Sequence, residues 1–127
     1  AEAIILDVNV FPEQPTINDE IAIITSGITS LGGIQIEGSD FEMQGNSLLL
    51  DIFIRTGAAT VEIPYLYSEN IGTLPAGLYD LTVRNFETSL YDITHTYTYS
   101  TTFEVVPEPS TLVLLSFGFI QVMRRRR

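Results

Sequence analysis

From Ile93 to Val105 the chain reads ITHTYTYSTTFEV, and its residues sort by parity. Odd positions carry Ile93, His95, Tyr97, Tyr99, Thr101, Phe103 and Val105. Even positions carry Thr94, Thr96, Thr98, Ser100, Thr102 and Glu104. Side chains alternate across a strand, whereas on a helix neighbours recur every three or four positions. A period of two this long therefore predicts a strand with an aromatic face on a core and a hydroxyl face in water.

The same period runs through most of the preceding chain, and no stretch there sustains a helical one. AIILDVNVF puts Ile4, Leu6, Val8 and Val10 on one parity, and Glu20 to Thr25 is a mostly apolar run suited to a strand packed on both faces. GGIQIEG alternates from Ile34 to Ile36 and FEMQ alternates again, before a tight-turn signal at Gly45 and Asn46. SLLLDIFIR aligns Leu48, Leu50, Ile52 and Ile54; TVEIPYLY aligns Val61, Ile63, Tyr65 and Tyr67; LYDLTVR aligns Tyr79, Leu81 and Val83. About seven strands punctuated by Gly, Pro, Asn and Asp predict an all-β fold, a single antiparallel sandwich over residues 1–106. A body of that size buries enough surface to fold without disulfides, and the chain has no cysteine.

Within IGTLPAGLYDLTVR, Leu74, Pro75 and Gly77 form a bend that leads into Tyr79 at the start of a strand. This resembles the tyrosine corner of immunoglobulin-like and fibronectin-type sandwiches. The opening FPEQPTINDEIAIITSG is similar to the first strand-to-strand crossing of bacterial surface immunoglobulin-like domains, with Pro12 and Pro15 ending one strand and guarding its edge. The resemblance covers most of residues 4–106. It implies an immunoglobulin-like body in which Tyr79 is structural, its phenol bonded back to upstream backbone.

Charge is segregated along the chain. Fifteen of the 16 acidic residues lie in residues 1–106 against Arg55 and Arg84, leaving that part at −13; Arg124 to Arg127 against Glu108 give the remainder +3. Nucleic-acid affinity rests on Lys and Arg contacts to phosphate, so an acidic body without lysine argues against that function. The same charge keeps an exported domain off anionic membranes. The chain opens on AEA with no charged and apolar leader, which is expected of a processed or excerpted sequence, a signal peptide having preceded it or not.

Candidate chemistry in the body is sparse. His95 could serve a Ser–His–Asp arrangement, but it lies within an aromatic-parity strand and no GxSxG elbow occurs; a structural or solvent-edge histidine is expected. Asp19, Glu20, Asp40, Glu42 and Asp92 could gather at a sandwich end around calcium, yet no DxDxDG loop is present and dispersed acids ordinarily hydrate a surface. A glycosidase carboxylate pair carries no weight among 16 acids. Tyr65, Tyr67, Tyr91, Tyr97 and Tyr99 could stack on sugars, although the same rings fill sandwich cores. LPAG at Leu74 to Gly77 is similar to a sortase motif, but it lies mid-chain with no hydrophobic anchor directly behind it. No cofactor or resident metal is expected, and no enzymatic activity.

The chain closes on VPEPSTLVLLSFGFIQVMRRRR. Pro107 and Pro109 flank Glu108, and proline cannot donate to a sheet ladder, so the last strand must stop near Val106. Leu112, Val113, Leu114, Leu115, Phe117, Phe119, Ile120, Val122 and Met123 lie in an uncharged run from Leu112 to Met123. As a C-terminal hydrophobic helix that run spans ~18 Å. A hydrocarbon core asks for about 20 residues. The segment is thus a marginal anchor, and Arg124, Arg125, Arg126 and Arg127 would hold its end on the cytoplasmic side.

These three parts in this order resemble a PEP-CTERM sorting signal, covering residues 107–127 beside a body of 1–106. The competing reading is an ordinary short membrane anchor. The resemblance implies a bacterial exported protein, held transiently in the inner membrane, then moved to the cell surface or the extracellular matrix. An exosortase, a membrane-embedded protease-transpeptidase, would bind Pro107, Glu108 and Pro109 and process the tail, with Arg124 to Arg127 as the stop-transfer cluster. The resemblance further implies exopolysaccharide and biofilm association. A non-enzymatic surface protein is the first expectation. The alternative is a polysaccharide-binding module using exposed tyrosines and acids, with or without calcium.

Overall fold

The computed structural model describes residues 4–29, 32–59, 63–88 and 94–108. They form seven strands: β1 (Ile4–Phe11), β2 (Ile21–Thr29), β3 (Gly32–Gln44), β4 (Ser47–Ala59), β5 (Ile63–Gly72), β6 (Gly77–Thr88) and β7 (Thr94–Val105). One sheet has the order β1-β2-β5 and the other β3-β4-β6-β7. The described residues contain no helix, and so none long and apolar enough to cross a membrane.

The apolar parities of the sequence become the interior. Ile21 and Ile23 from the smaller sheet share one buried cluster with Leu48, Leu50, Ile52, Ile54, Leu81 and Val83 from the larger. Each such side chain contributes about 1.5–3 kcal/mol when removed from water. Tyr97, Tyr99 and Phe103 close the margin of this core from β7, while Thr94, Thr96, Thr98 and Ser100 lie exposed on its other face. Gly45 takes a φ of 61° in the turn that joins β3 to β4, a backbone region costly for most other residues.

Three expectations need correction. The larger sheet is not wholly antiparallel: β4 and β6 pair in parallel, from Ser47↔Asp80 to Arg55↔Thr88. The chain leaves that sheet after β4, runs β5 in the opposite one, and returns to lay β6 in the direction of β4. In the constant-type immunoglobulin order the third strand neighbours the sixth; here the fourth strand stands between them. In β1 the predicted parity breaks. A bulge between Ile5 and Asp7 turns Ile5 and Val8 inward and leaves Leu6 60% exposed. In β2, Ile21, Ile23 and Thr25 are buried, whereas Ala22 and Ile24 on the other face are half-buried.

The bend before β6 holds Tyr79 in place. Its hydroxyl donates to the Pro75 carbonyl at 2.7 Å, and its ring stacks on Phe103 with centroids 5.5 Å apart. Tyr79→Phe keeps the ring and deletes the bond, so the urea midpoint should fall by the equivalent of about 1 kcal/mol. A midpoint equal to the parent's would leave this corner without energetic weight.

Candidate functional site

Two of the three buried polar side chains among the described residues sit together on β6, and the third is Thr25 on β2. Asn85 and Glu87 of β6 are each 1% exposed and project on the same face as Leu81 and Val83. The Asn85 side-chain amide donates to the hydroxyl of Tyr65 on β5, so the bond crosses from one sheet to the other. Burial pushes the Tyr65 phenol up to about 12; the Asn85 bond works against that rise, and the Glu87 charge adds to it. His95 lies opposite Glu87 in the β6–β7 register.

A second polar link joins the two sheets where β3 faces β5. Tyr67 donates to Ser39 Oγ at 2.8 Å, and Ser39 donates to Glu69 Oε1 at 2.7 Å. On the outer face of the larger sheet, Arg84 grips Asp51 through Nε at 2.7 Å and Nη2 at 2.8 Å. The two are register partners across the parallel seam. Phe53 and Phe86 stack beside them with centroids 5.4 Å apart, and the Arg84 guanidinium lies 5.1 Å from the Phe86 centroid.

The sugar-stacking tyrosines do not form an exposed platform among the described residues. Tyr65 is buried, and Tyr67, Tyr97 and Tyr99 pack against the core; Tyr91 lies outside the described residues. Of the proposed calcium ligands, Asp19, Glu20, Asp40 and Glu42 do not gather into one metal-holding group, and Asp92 lies outside the described residues. Asp19 Oδ2 accepts from Thr16 N at 2.9 Å and from Thr16 Oγ1 at 3.1 Å, while Glu20 accepts from Asn70 at 3.4 Å. Among the described residues no three His, Asp or Glu side chains could hold one metal ion.

The sorting motif begins against the body. After β7, Val106 forms an isolated parallel bridge with Thr16. Val106 N donates to Pro15 O at 3.0 Å, and Ile17 N donates to Val106 O at 3.1 Å. Pro107 is exposed, and Glu108 is half-buried, accepting from Asn18 Nδ2 at 2.6 Å. Pro109, the apolar run from Leu112 to Met123 and Arg124 to Arg127 lie outside the described residues. Sequence reading missed the Asn18 contact. TIND at Thr16 to Asp19 is a hydroxyl-and-carboxylate turn pattern, which gives the turn but not its distant partner.

This geometry belongs to an all-β body with an extended, proline-punctuated exit. Residues 105–127 match the PEP-CTERM protein-sorting motif. The match implies export and membrane-anchored sorting by an exosortase. No curated protein and no solved structure matches the chain.

Proposed function

We propose that this is a non-enzymatic surface or matrix protein whose tail is processed by an exosortase and whose body ends at the cell surface or outside the cell. The observation that carries the reading is the motif at residues 105–127, with Pro107, Glu108 and Pro109 directly after the last strand. Leu112 to Met123 forms the membrane segment, and Arg124 to Arg127 stop its translocation. Association with exopolysaccharide and biofilm belongs to the same reading. A non-catalytic role is supported by the absence of cysteine, the single histidine and the lack of a nucleophile elbow in the sequence. Packing of Tyr65, Tyr67, Tyr97 and Tyr99 against the core favours a scaffold over a tyrosine-lined sugar site. The body is a variant of the immunoglobulin-like plan, supported by the Tyr79 corner and by the division of β1, β2 and β5 from β3, β6 and β7.

The experiment replaces Arg124, Arg125, Arg126 and Arg127 with glutamine in the native host, followed by cell fractionation and pulse-chase. Loss of membrane retention and of the processed form is expected, because the charge that halts the tail is gone. Retention and processing at the parental level would sink the sorting reading.

A further inference from the structure

We propose that the Pro15–Asp19 turn is a docking site for the start of the sorting motif, an intramolecular contact that must open before a processing enzyme closes on Glu108. The inference rests on the sorting reading for its enzyme, but its geometry stands independently. Two strand-like backbone bonds fix Val106, one to Pro15 O and one from Ile17 N. Two positions later the Asn18 amide takes one carboxylate oxygen of Glu108 at 2.6 Å. The turn is itself braced: Asp19 Oδ2 holds Thr16 N and Oγ1, and Asp19 N donates to Thr16 O at 3.1 Å. Gln14 adds a bond from its side chain to Glu104 O at 3.2 Å. The contact thus runs along the chain from Glu104 to Glu108, on a turn about ninety residues away in sequence.

Enzymes that process peptide chains bind them extended and enclose them, so a segment hydrogen-bonded to its own domain reacts through its locally opened state. Here Pro107 lies exposed, while its neighbours on both sides are held. Asn18 is therefore a positioning residue that sets how often Glu108 is released. Its contact is at the surface, so removing it leaves the core untouched.

Two measurements on the full chain test this. Hydrogen exchange in detergent micelles should find the Val106 and Ile17 amides protected, with faster exchange in Asn18→Ala; unprotected amides in the parent would overturn the docking. Pulse-chase in the native host then compares Asn18→Ala with a chain carrying Gly-Ser-Gly between Val106 and Pro107. Both should be processed about two- to tenfold faster than the parent, the scale of one hydrogen bond, with unchanged urea midpoints. Parental or slower rates in both would reject the gate while leaving exosortase sorting intact. A parent that is never processed would instead reject the sorting reading, and the exchange data would still decide the docking.

Discussion

Gly27→Ala is expected to destabilise the body by roughly 3 kcal/mol or more, the upper range for forcing volume into a packed interior. A methyl at Gly27 would lie 2.0 Å from the Ile4 carbonyl oxygen and 2.7 Å from both Cε1 and the hydroxyl of Tyr65. Gly27 sits in the middle of the smaller sheet, opposite Ile5 on one side and Tyr65 on the other. Because the nearest obstacle is backbone, trimming the phenol cannot relieve it. The double variant Gly27→Ala/Tyr65→Phe should be no more stable than Gly27→Ala alone. Urea unfolding of purified protein checks this, and a parental midpoint for Gly27→Ala would refute the close approach.

The second large effect concerns Tyr65 and is read as a function of pH. Its phenol titrates near 10.0 when unperturbed and at about 12 in the fold. Below pH 10 both folded and unfolded chains keep the proton, so the contribution is fully present. Between those two values the unfolded chain releases the proton while the folded one retains it, and stability falls as pH rises. Tyr65→Phe should abolish that part of the alkaline decline. At neutral pH the same variant should cost about 1–3 kcal/mol, because the buried hydrogen bond from the Asn85 amide to the Tyr65 hydroxyl is lost. Urea midpoints at a series of alkaline pH values distinguish the two chains; parallel profiles would refute the assignment.

The seven strands were legible because a half-buried sheet writes its burial into alternate positions. Leu48, Leu50, Ile52 and Ile54 show this without interruption, and all four are buried. β1 was less legible, since a bulge changes parity without changing composition and nothing in IILDVNVF marks the extra residue. Strand order was harder still. Alternation says which face of β4 is inward but not which strand lies beside it, so the parallel neighbour β6 left no local trace.

The polar interior and the docked exit were hidden for a related reason. Asn85 and Glu87 sit at core-facing positions of β6, in a stretch whose parity could be followed only through Val83. What admits Asn85 is Tyr65, twenty residues earlier and in the other sheet. The tail was the reverse case. Pro107, Glu108, Pro109 and the terminal arginines announce themselves as a linear pattern, because a sorting signal is read as a chain. Its contact with Asn18 depends on a fold that brings positions ninety residues apart together, and a linear pattern carries no such information.

The parallel seam at the centre of the larger sheet has a consequence for how the chain assembles. β3 with β4, and β6 with β7, are antiparallel neighbours along the sequence and can zip up locally. Joining these two ribbons demands that the polypeptide first travel through the facing layer and come back, a loop whose closure entropy must be met before any bond across the seam forms. Each ribbon of the larger layer can therefore form early, but the seam between them closes only once the fifth strand has carried the chain through the facing layer and back.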